Sequence, residues 1–238
     1  LAVPGLGLPC GMFVLSDGSW LVSTAEHTLQ LLTPSGWRTL IAGSFDEEEG
    51  FADGEGAAAR FFGPTGITVD PAGDAVVVDS GNHALRLVSK AGAVSTLAGG
   101  GAAGFVDGQG AAARFNNPHS VVVLPDSGEF VVSDFSNHAL RVVTPGGAVR
   151  TLAGSGEAGF ADGQGAAARF NRPAGLALDA DGSSVLVADW GNHAVRRVTM
   201  AGAVSTVAGN GEAGFADGEG AAARFHNPSD VVVDEEGT

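Results

Sequence analysis

The sequence has no tyrosine, one cysteine, one lysine and no long apolar run. Because Cys10 is alone, no disulfide can form within the chain. No stretch reaches the roughly 18 apolar residues of a membrane-spanning helix, so no such span is predicted. Cations are also scarce, with 12 Lys and Arg against 27 Asp and Glu, which gives a net charge of −15.

This acidity bears on the class of partner. Proteins that bind nucleic acid gain much of their affinity from Lys and Arg placed against phosphates, and the largest basic cluster here is Arg196–Arg197. We therefore expect no nucleic-acid partner. A cation or a basic protein suits the charge better.

One glycine-rich phrase occurs four times, first as GFADGEGAAARF at 50–61 and last as the same twelve letters at 214–225. Near copies lie at 104–115 and 159–170. The prolines that accompany the repeat are spaced 54 or 55 residues apart: Pro9, Pro64, Pro118, Pro173 and Pro228. A fixed period of this length indicates an array of supersecondary units.

Each repeat contains four short runs rich in Val, Leu and Ala, separated by turns with Gly, Asn or Asp, which is typical of strands. Four successive antiparallel strands form one blade, and stacked blades form an all-β fold, the β-propeller. The predicted blades span about 9–43, 64–99, 118–154 and 173–209, and a fifth begins at 228–238.

The turn between the second and third runs carries a family signature. The segments DSGNHALRLV, DFSNHALRVV and DWGNHAVRRV resemble the Asn-His-Leu motif of NHL-repeat β-propellers, and the resemblance covers about residues 9–238. The first blade departs from the motif, with Glu26 in place of Asn and Ser23 in place of Asp. The resemblance implies a propeller that presents one face to a protein, an RNA or a ligand.

The repeated phrase is extra length in the linker between blades. Its alanines favour a short helix, which at about five or six residues needs burial to be stable. We expect the helix to be held by two phenylalanines, Phe51 and Phe61 in the first copy. Asp53 is expected to form an Asx-type turn that leads into the helix.

Four histidines recur once per blade: His27, His83, His138 and His193. Propeller geometry spreads equivalent positions apart, so we interpret them as turn residues rather than as ligands of one metal. Asp79, Asp134 and Asp189 are expected to hold these turns through hydrogen bonds. We assign no metal ligand, cofactor or catalytic residue.

Two groups of residues are candidates for binding. The loop with Asp46, Glu47, Glu48 and Glu49 has an excess of carboxylates that would suit a cation or a basic partner, although a solvated loop is the alternative. Residues next to the anchor prolines differ between repeats and should line the rim of the central funnel. The candidate ligand contacts there are His119, Arg172, His226 and Asp230, with drift between repeats as the alternative explanation.

These observations favour a non-enzymatic interaction scaffold that binds a protein or a small ligand. The alternatives are an enzyme with a site in the funnel, of metal-dependent lyase or hydrolase type, and a structural module of a large assembly. The resemblance includes lyases that use zinc-binding histidines with a tyrosine base, and this chain has no tyrosine. His119, His226 and Asp230 could form a different group.

Four repeats and part of a fifth do not complete a propeller of six such blades, although a ring of four blades is possible in principle. We therefore expect further blades or a second chain to complete the ring, with self-association as one route.

Overall fold

The computed structural model describes residues 7–44, 46 and 48–234, and these form an all-β chain of four-stranded antiparallel blades. The chain divides into two units, Leu1–Asn117 and Pro118–Thr238, with two complete blades in each. No helix in the described residues is long and apolar enough to cross a membrane.

The described residues 228–234, where a fifth blade was expected to begin, contain no strand, and each of the four complete blades has four strands. In the first unit they are β1 (Pro9–Val14), β2 (Trp20–Thr24), β3 (Leu29–Leu32) and β4 (Arg38–Ala42), then β6 (Pro64–Val69), β7 (Ala75–Asp79), β8 (Ala84–Val88) and β9 (Ala93–Gly99). In the second unit they are β11 (Pro118–Val123), β12 (Phe130–Asp134), β13 (Ala139–Val143) and β14 (Ala148–Ala153), then β16 (Pro173–Leu178), β17 (Ser184–Asp189), β18 (Ala194–Thr199) and β19 (Ala203–Ala208). Two-residue strands lie in the linkers: β5 (Gly54–Glu55), β10 (Gly108–Gln109) and β15 (Gly163–Gln164).

The helical segments within the described part of the chain are single turns of 3-10 helix. They are Gly56–Ala58, Ser80–Asn82, Gly110–Ala112, Phe135–Asn137, Gly165–Ala167, Trp190–Asn192 and Gly220–Ala222.

The second strand of a blade is rich in apolar residues because it is buried. β7 and β12 are buried at all five positions, as expected for a strand covered on both of its faces. In each unit, side chains of two adjacent blades form one core, which in the first unit includes Val77 and Phe61 and in the second Val187 and Phe170.

The repeated phrase does not form the helix of five or six residues that we predicted. Its first half ends in the two-residue strand β5, which pairs with the outermost strand of the second blade, at Gly54↔Val94 and Glu55↔Ala93. Only a three-residue 3-10 turn follows, Gly56–Ala58. Gly56 begins it with a left-handed φ of 51°, which glycine adopts readily, and Ala59 ends it with an extended backbone at φ −70° and ψ 153°.

A buried arginine in the third strand of the blade holds this linker. Arg86 donates from Nη1 to Asp79 Oδ2 at 2.7 Å and to the Arg60 carbonyl oxygen at 3.1 Å. Its Nη2 donates to the Ala52 carbonyl oxygen at 2.8 Å and to Asp53 Oδ1 at 2.7 Å. The guanidinium fork therefore joins a buried carboxylate of its own blade to three acceptors of the linker.

Phenylalanine rings of the linker enclose the same guanidinium. The Arg86 Cζ atom lies 4.8 Å from the centre of the Phe51 ring and 5.3 Å from that of Phe61. Phe61 is completely buried, as predicted, whereas Phe51 is 46% exposed. The prediction that both rings are buried was therefore wrong for Phe51. This ring instead covers Arg86 from the solvent side through a cation–π contact.

Asp53 does not make the predicted Asx turn, because its carboxylate faces the arginine. Its Oδ1 also accepts a hydrogen bond from Thr96 Oγ1 at 2.9 Å. Partial burial favours the neutral carboxyl, but the hydrogen bonds from Arg86 and Thr96 outweigh it and lower the pKa of Asp53. The linker is thus attached to the blade that follows it.

We call this arrangement the guanidinium clamp, and it recurs in the second unit. Arg196 pairs with Asp189 and Asp162, each at 2.7 Å, and its Cζ lies 4.9 Å and 5.3 Å from the rings of Phe160 and Phe170. In the third blade Arg141 pairs with Asp134 at 2.7 Å. The first blade instead has Gln30 and Ser23 at these positions, both buried and neutral.

The Asp and His of the signature have the turn roles that we predicted. Asp79 Oδ2 accepts from Asn82 Nδ2 at 2.9 Å, and Oδ1 accepts from the Phe62 N–H at 2.8 Å. Each histidine adopts a left-handed backbone, which is uncommon outside glycine. His83 Nδ1 then accepts the N–H of Asn117, the residue before the next anchor proline, at 3.1 Å.

We predict that R196Q lowers the free energy of unfolding by about 3–5 kcal/mol, because it leaves Asp189 buried without its countercharge. The matched control is R197Q. Its exposed side chain makes a surface pair with Asp179 at 3.4 Å and should contribute no more than about 1 kcal/mol. Urea denaturation measures both, and equal losses would contradict the clamp.

The histidine turns predict a dependence of stability on pH. Burial lowers the pKa of His83 and of His138, and the positive charge of Arg172 lowers that of His138 further. The unfolded chain therefore binds protons more readily near the ordinary histidine pKa of about 6.5, so acidification through this range should reduce the histidine contribution to the free energy of unfolding.

The difference in free energy of unfolding between the native protein and H138N isolates this effect. That difference should shrink between pH 7.5 and pH 5, as measured by urea denaturation at each pH. A difference that is constant or grows on acidification would show that His138 does not need to be neutral.

Candidate functional site

All four residues predicted to contact a ligand belong to the second unit. His119 is the second residue of β11, and Arg172 directly precedes β16. His226 and Asp230 flank Pro228, in a described segment without strand or helix. The linkers enter the innermost strands at this end of the unit, where the signature turns also lie.

An ordered row of side chains crosses this end from the third blade to the fourth. The His119 ring stacks on Phe135 with 5.7 Å between ring centres and 29° between planes. The ring centres of Phe135 and Trp190 are 6.2 Å apart, and the Arg172 Cζ atom lies over the Trp190 ring, 5.8 Å from its centre. We call these four residues the aromatic row.

The backbone fixes the members of the row. Phe135 and Trp190 each begin the 3-10 turn that follows the buried aspartate of their blade. Arg172 has a φ of 58°, and its N–H donates to His138 Nδ1 at 3.0 Å. Because this bond uses the backbone of Arg172, its side chain stays exposed over the Trp190 ring.

His119 and Asp230 interact electrostatically at the other end of the row. Burial lowers the pKa of His119, and the negative charge of Asp230 opposes that shift. Asp230 is exposed and abuts Gly175, where a Cβ atom would lie 2.2 Å from Asp230 Oδ1. The Gly175 N–H donates to the Ser229 carbonyl oxygen at 3.0 Å, so the tail runs beside β16.

His226 does not join this row. Its ring packs against His193 with 5.7 Å between centres, and His193 Nδ1 accepts the N–H of Asn227 at 3.1 Å. Within residues 7–44, 46 and 48–234, no group of three or more His, Cys, Asp or Glu is placed to hold a metal ion. The structure thus does not assemble His119, His226 and Asp230 into one site.

The sequence interpretation missed Phe135 and Trp190, although a signal was present. Between the buried aspartate and the Asn-His pair, the repeats read Ser-Gly, Phe-Ser and Trp-Gly. The first of these letters varies from serine to two aromatic residues within an otherwise constant motif. A large ring at a turn position that serine also occupies is not required by the fold.

The carboxylates of the acidic loop contact neighbours within the first unit. Glu48 Oε2 accepts from Arg60 Nη2 at 3.2 Å, and Glu49 Oε2 lies 3.9 Å from His27 Nε2. The Asp46 N–H donates to Ser44 Oγ at 3.2 Å. Glu47 lies outside the described residues, so the proposed cation or partner loop remains a prediction.

The pairing of Glu48 recurs in later linkers. Glu157 pairs with Arg169 at 2.5 Å, and Glu212 pairs with Arg224 at 2.6 Å. Part of the apparent acidic excess is therefore a repeated linker contact.

A cavity of about 400 Å³ lies at the end of the second unit opposite the aromatic row, between the turns that follow β11 and β16. Its lining includes four carboxylates and the apolar side chains of Leu124, Leu178 and Met200. Two of its carboxylates face arginines of the same unit, with Glu129 3.9 Å from Arg150 and Asp179 3.4 Å from Arg197.

Comparison with known proteins identifies the repeat. The family described as NHL repeat matches residues 61–86, 115–143 and 170–197. Each matched segment begins at a buried linker phenylalanine and includes the third-strand arginine. The chain therefore contains three NHL repeats, and its blades are those of a β-propeller fold.

Among curated relatives, NHL repeat-containing protein 2 of Gallus gallus is 34% identical over 151 residues, which cover 58% of this chain and 21% of the relative. The chain spans only 17% to 21% of the length of the curated relatives that it matches.

Solved structures share the fold. An auxiliary nutrient binding protein from Bacteroides ovatus superposes with a TM-score of 0.72 at 18% identity, covering 98% of this chain and 55% of the other. Virginiamycin B lyase from Staphylococcus aureus gives a TM-score of 0.57 at 11% identity, covering 87% and 58%. At these identities the likeness extends to the fold alone.

We predict that the aromatic row is not needed for folding. W190S and F135S install the serine that the second blade has at this position, and R172N installs the asparagine of the third. Since the rings are only half-buried, each variant should lower the free energy of unfolding by about 1 kcal/mol or less. A loss in urea denaturation as large as that of R196Q would mean that the row is structural.

Proposed function

We propose that this chain is a non-enzymatic binding module and that the aromatic row of the second unit is its ligand-contacting surface. The observation that carries the proposal is the row itself: four side chains that vary between repeats lie in one continuous contact series. Residues required by the clamp keep their identity from the second blade to the fourth, whereas the four residues of the aromatic row do not.

The chemistry of the row indicates the class of ligand. Half-exposed Phe135 and Trp190 offer ring faces and edges to a planar or apolar group. Arg172, exposed beside them, offers guanidinium N–H donors to a carboxylate. We infer that the ligand, either a small molecule or a segment of a protein, carries a planar group next to a carboxylate.

Charge supports a short-range role for Arg172. The chain has a net charge of −15, so its overall field repels anions at a distance. An anionic ligand therefore depends on direct contact with the guanidinium. A neutral analogue of the same shape should lose only that contact.

The comparisons support binding in general terms only. One protein of the same fold is called a nutrient binding protein, and another is a lyase. For the enzyme alternative, His119 and His226 contact different rings rather than each other. A scaffold is therefore the function that the geometry supports best.

A matched pair of probes, N-acetylphenylalanine and its amide, tests the proposal. We expect the acid to bind in the millimolar range and to shift the Trp190 indole N–H resonance in a ¹⁵N–¹H NMR titration. R172N should weaken the acid about threefold and leave the amide unchanged, whereas W190S should weaken both.

The control is W37A, which removes an exposed tryptophan of the first unit and should change neither affinity. Shifts confined to residues outside the row would contradict the proposed surface. Conversion of a probe into a new product, detected by mass spectrometry, would favour the enzyme alternative instead.

A further inference from the structure

The cavity opposite the aromatic row has a smaller counterpart in the first unit. The larger cavity lies in the cleft between the third and fourth blades, and the smaller one lies at the same place between the first and second. Three lining positions correspond in the repeats: Leu124 with Leu15, Gly182 with Gly73, and Met200 with Lys90. The only lysine of the chain thus stands where the larger cavity has a methionine.

In the first unit, this lysine places its ammonium group over the turn that follows β6. A Cβ atom on Gly73 would lie 2.5 Å from Lys90 Nζ, and the Lys90 N–H donates to Asp74 Oδ1 of the same turn at 3.1 Å. The cavity beside the lysine is about 160 Å³ and is lined mainly by aliphatic side chains. The chain therefore fills part of this cleft with its own cation.

In the second unit, the equivalent turn has open space above it. Within the described part of the chain, nothing lies within 4 Å of a Cβ atom placed on Gly182. Met200 instead packs against the hydrophobic core, as Leu178 does. The resulting cavity of about 400 Å³ has the size of a small-molecule site, roughly 300–1,000 Å³. The second unit thus leaves room where the first places an ammonium group.

The lining of the larger cavity combines buried apolar side chains with exposed carboxylates. Leu124 is 8% exposed, whereas Asp126 and Asp181 are exposed. The Ser183 N–H donates to Asp181 Oδ1 at 2.9 Å and lowers the pKa of Asp181, which is therefore ionised at neutral pH. The described residues that line the cavity include no Lys, Arg or His, and arginines face only two of its four carboxylates. An excess of negative charge remains on the solvent side.

We propose that this cavity is a second binding site, for a small molecule that carries a primary ammonium group on an apolar body. The body contacts Leu124, Leu178 and Met200, because that contact removes apolar surface from water. The ammonium group stays beside Asp126 and Asp181, since a charge is costly to bury without a partner. The net charge of −15 attracts such a cation from a distance.

The order of burial in the lining favours a free amine over a lysine of a partner protein. A partner's lysine enters with its ammonium group first and brings the charge against buried Leu124. A free amine can enter with its apolar body first and leave the charge among the exposed carboxylates. This site is separate from the aromatic row and prefers the opposite charge, so it does not depend on the function proposed for the row.

Methionine methyl groups report on the site, because the chain has two methionines. Met200 lines the cavity, and Met12 lies exposed in the first unit. In protein with ¹³C-labelled methionine methyl groups, protonated 2-phenylethylamine should shift the Met200 signal at millimolar concentration and leave Met12 unchanged. 2-Phenylethanol has the same body without the charge and should bind about fivefold more weakly. 3-Phenylpropanoate, with the opposite charge, should not shift Met200.

Two variants locate the ammonium group. D181N removes one carboxylate but keeps the oxygen that the turn uses, and it should weaken the amine about threefold. Its matched control is D17N, because Asp17 Oδ1 accepts the Ser19 N–H at 2.9 Å in the equivalent turn of the first blade. M200K installs the lysine of the first unit and should weaken the amine about tenfold, because it fills the space and adds a like charge. The amide resonance of Gly182 follows binding to all three variants.

D181N changes only an exposed carboxylate, so it remains informative if M200K does not fold. R172N, which alters the aromatic row, should leave the affinity for the amine unchanged. Equal affinity for the amine and the alcohol would overturn the proposal, as would a Met200 signal that the amine does not shift. An affinity that neither D181N nor M200K changes would also overturn it.

Discussion

The fold depends on a buried arginine that binds two segments of chain at once. Arg86 reaches Asp79 within its blade and Asp53 in the preceding linker. A buried guanidinium needs a countercharge and acceptors for its donors, and the linker supplies three of the four acceptors that Arg86 Nη1 and Nη2 reach. This explains why the linker phrase is repeated so closely: its glycines, aspartate and phenylalanines all fit one guanidinium.

The same constraint separates structural residues from functional ones. Positions that touch the clamp or the histidine turns change little from the second blade to the fourth. Positions beside them, at the turn and next to the anchor proline, are free to vary, and in the second unit they carry His119, Phe135, Arg172 and Trp190. A rigid, repeated frame thus presents side chains that the frame itself does not require.

Blade boundaries were predictable from the sequence because Pro, Gly and Asp mark the strand ends at a fixed period. The clamp was not, because Arg86 stands inside an apolar run and its partner Asp53 is 33 residues away in the sequence. The prediction of a linker helix was wrong because the preference of the alanines does not outweigh the backbone on either side of them: Gly56 is left-handed and Ala59 is extended, so the segment forms one 3-10 turn. For the site, the variable residues beside the prolines were found, but Phe135 and Trp190 were missed inside the family motif.

A double-mutant cycle on Asp189 and Arg196 tests the central claim most directly. D189S, R196Q and the double variant would be compared by urea denaturation, the double variant having the serine and glutamine that the first blade has at these positions. R196Q leaves Asp189 buried without its countercharge, whereas D189S leaves Arg196 paired with Asp162 alone. If the buried pair organises the blade, the double variant should lose less free energy of unfolding than the sum of the two single variants, with a coupling of about 1.5 kcal/mol or more. Additive losses would show that the two residues act independently and would contradict the account.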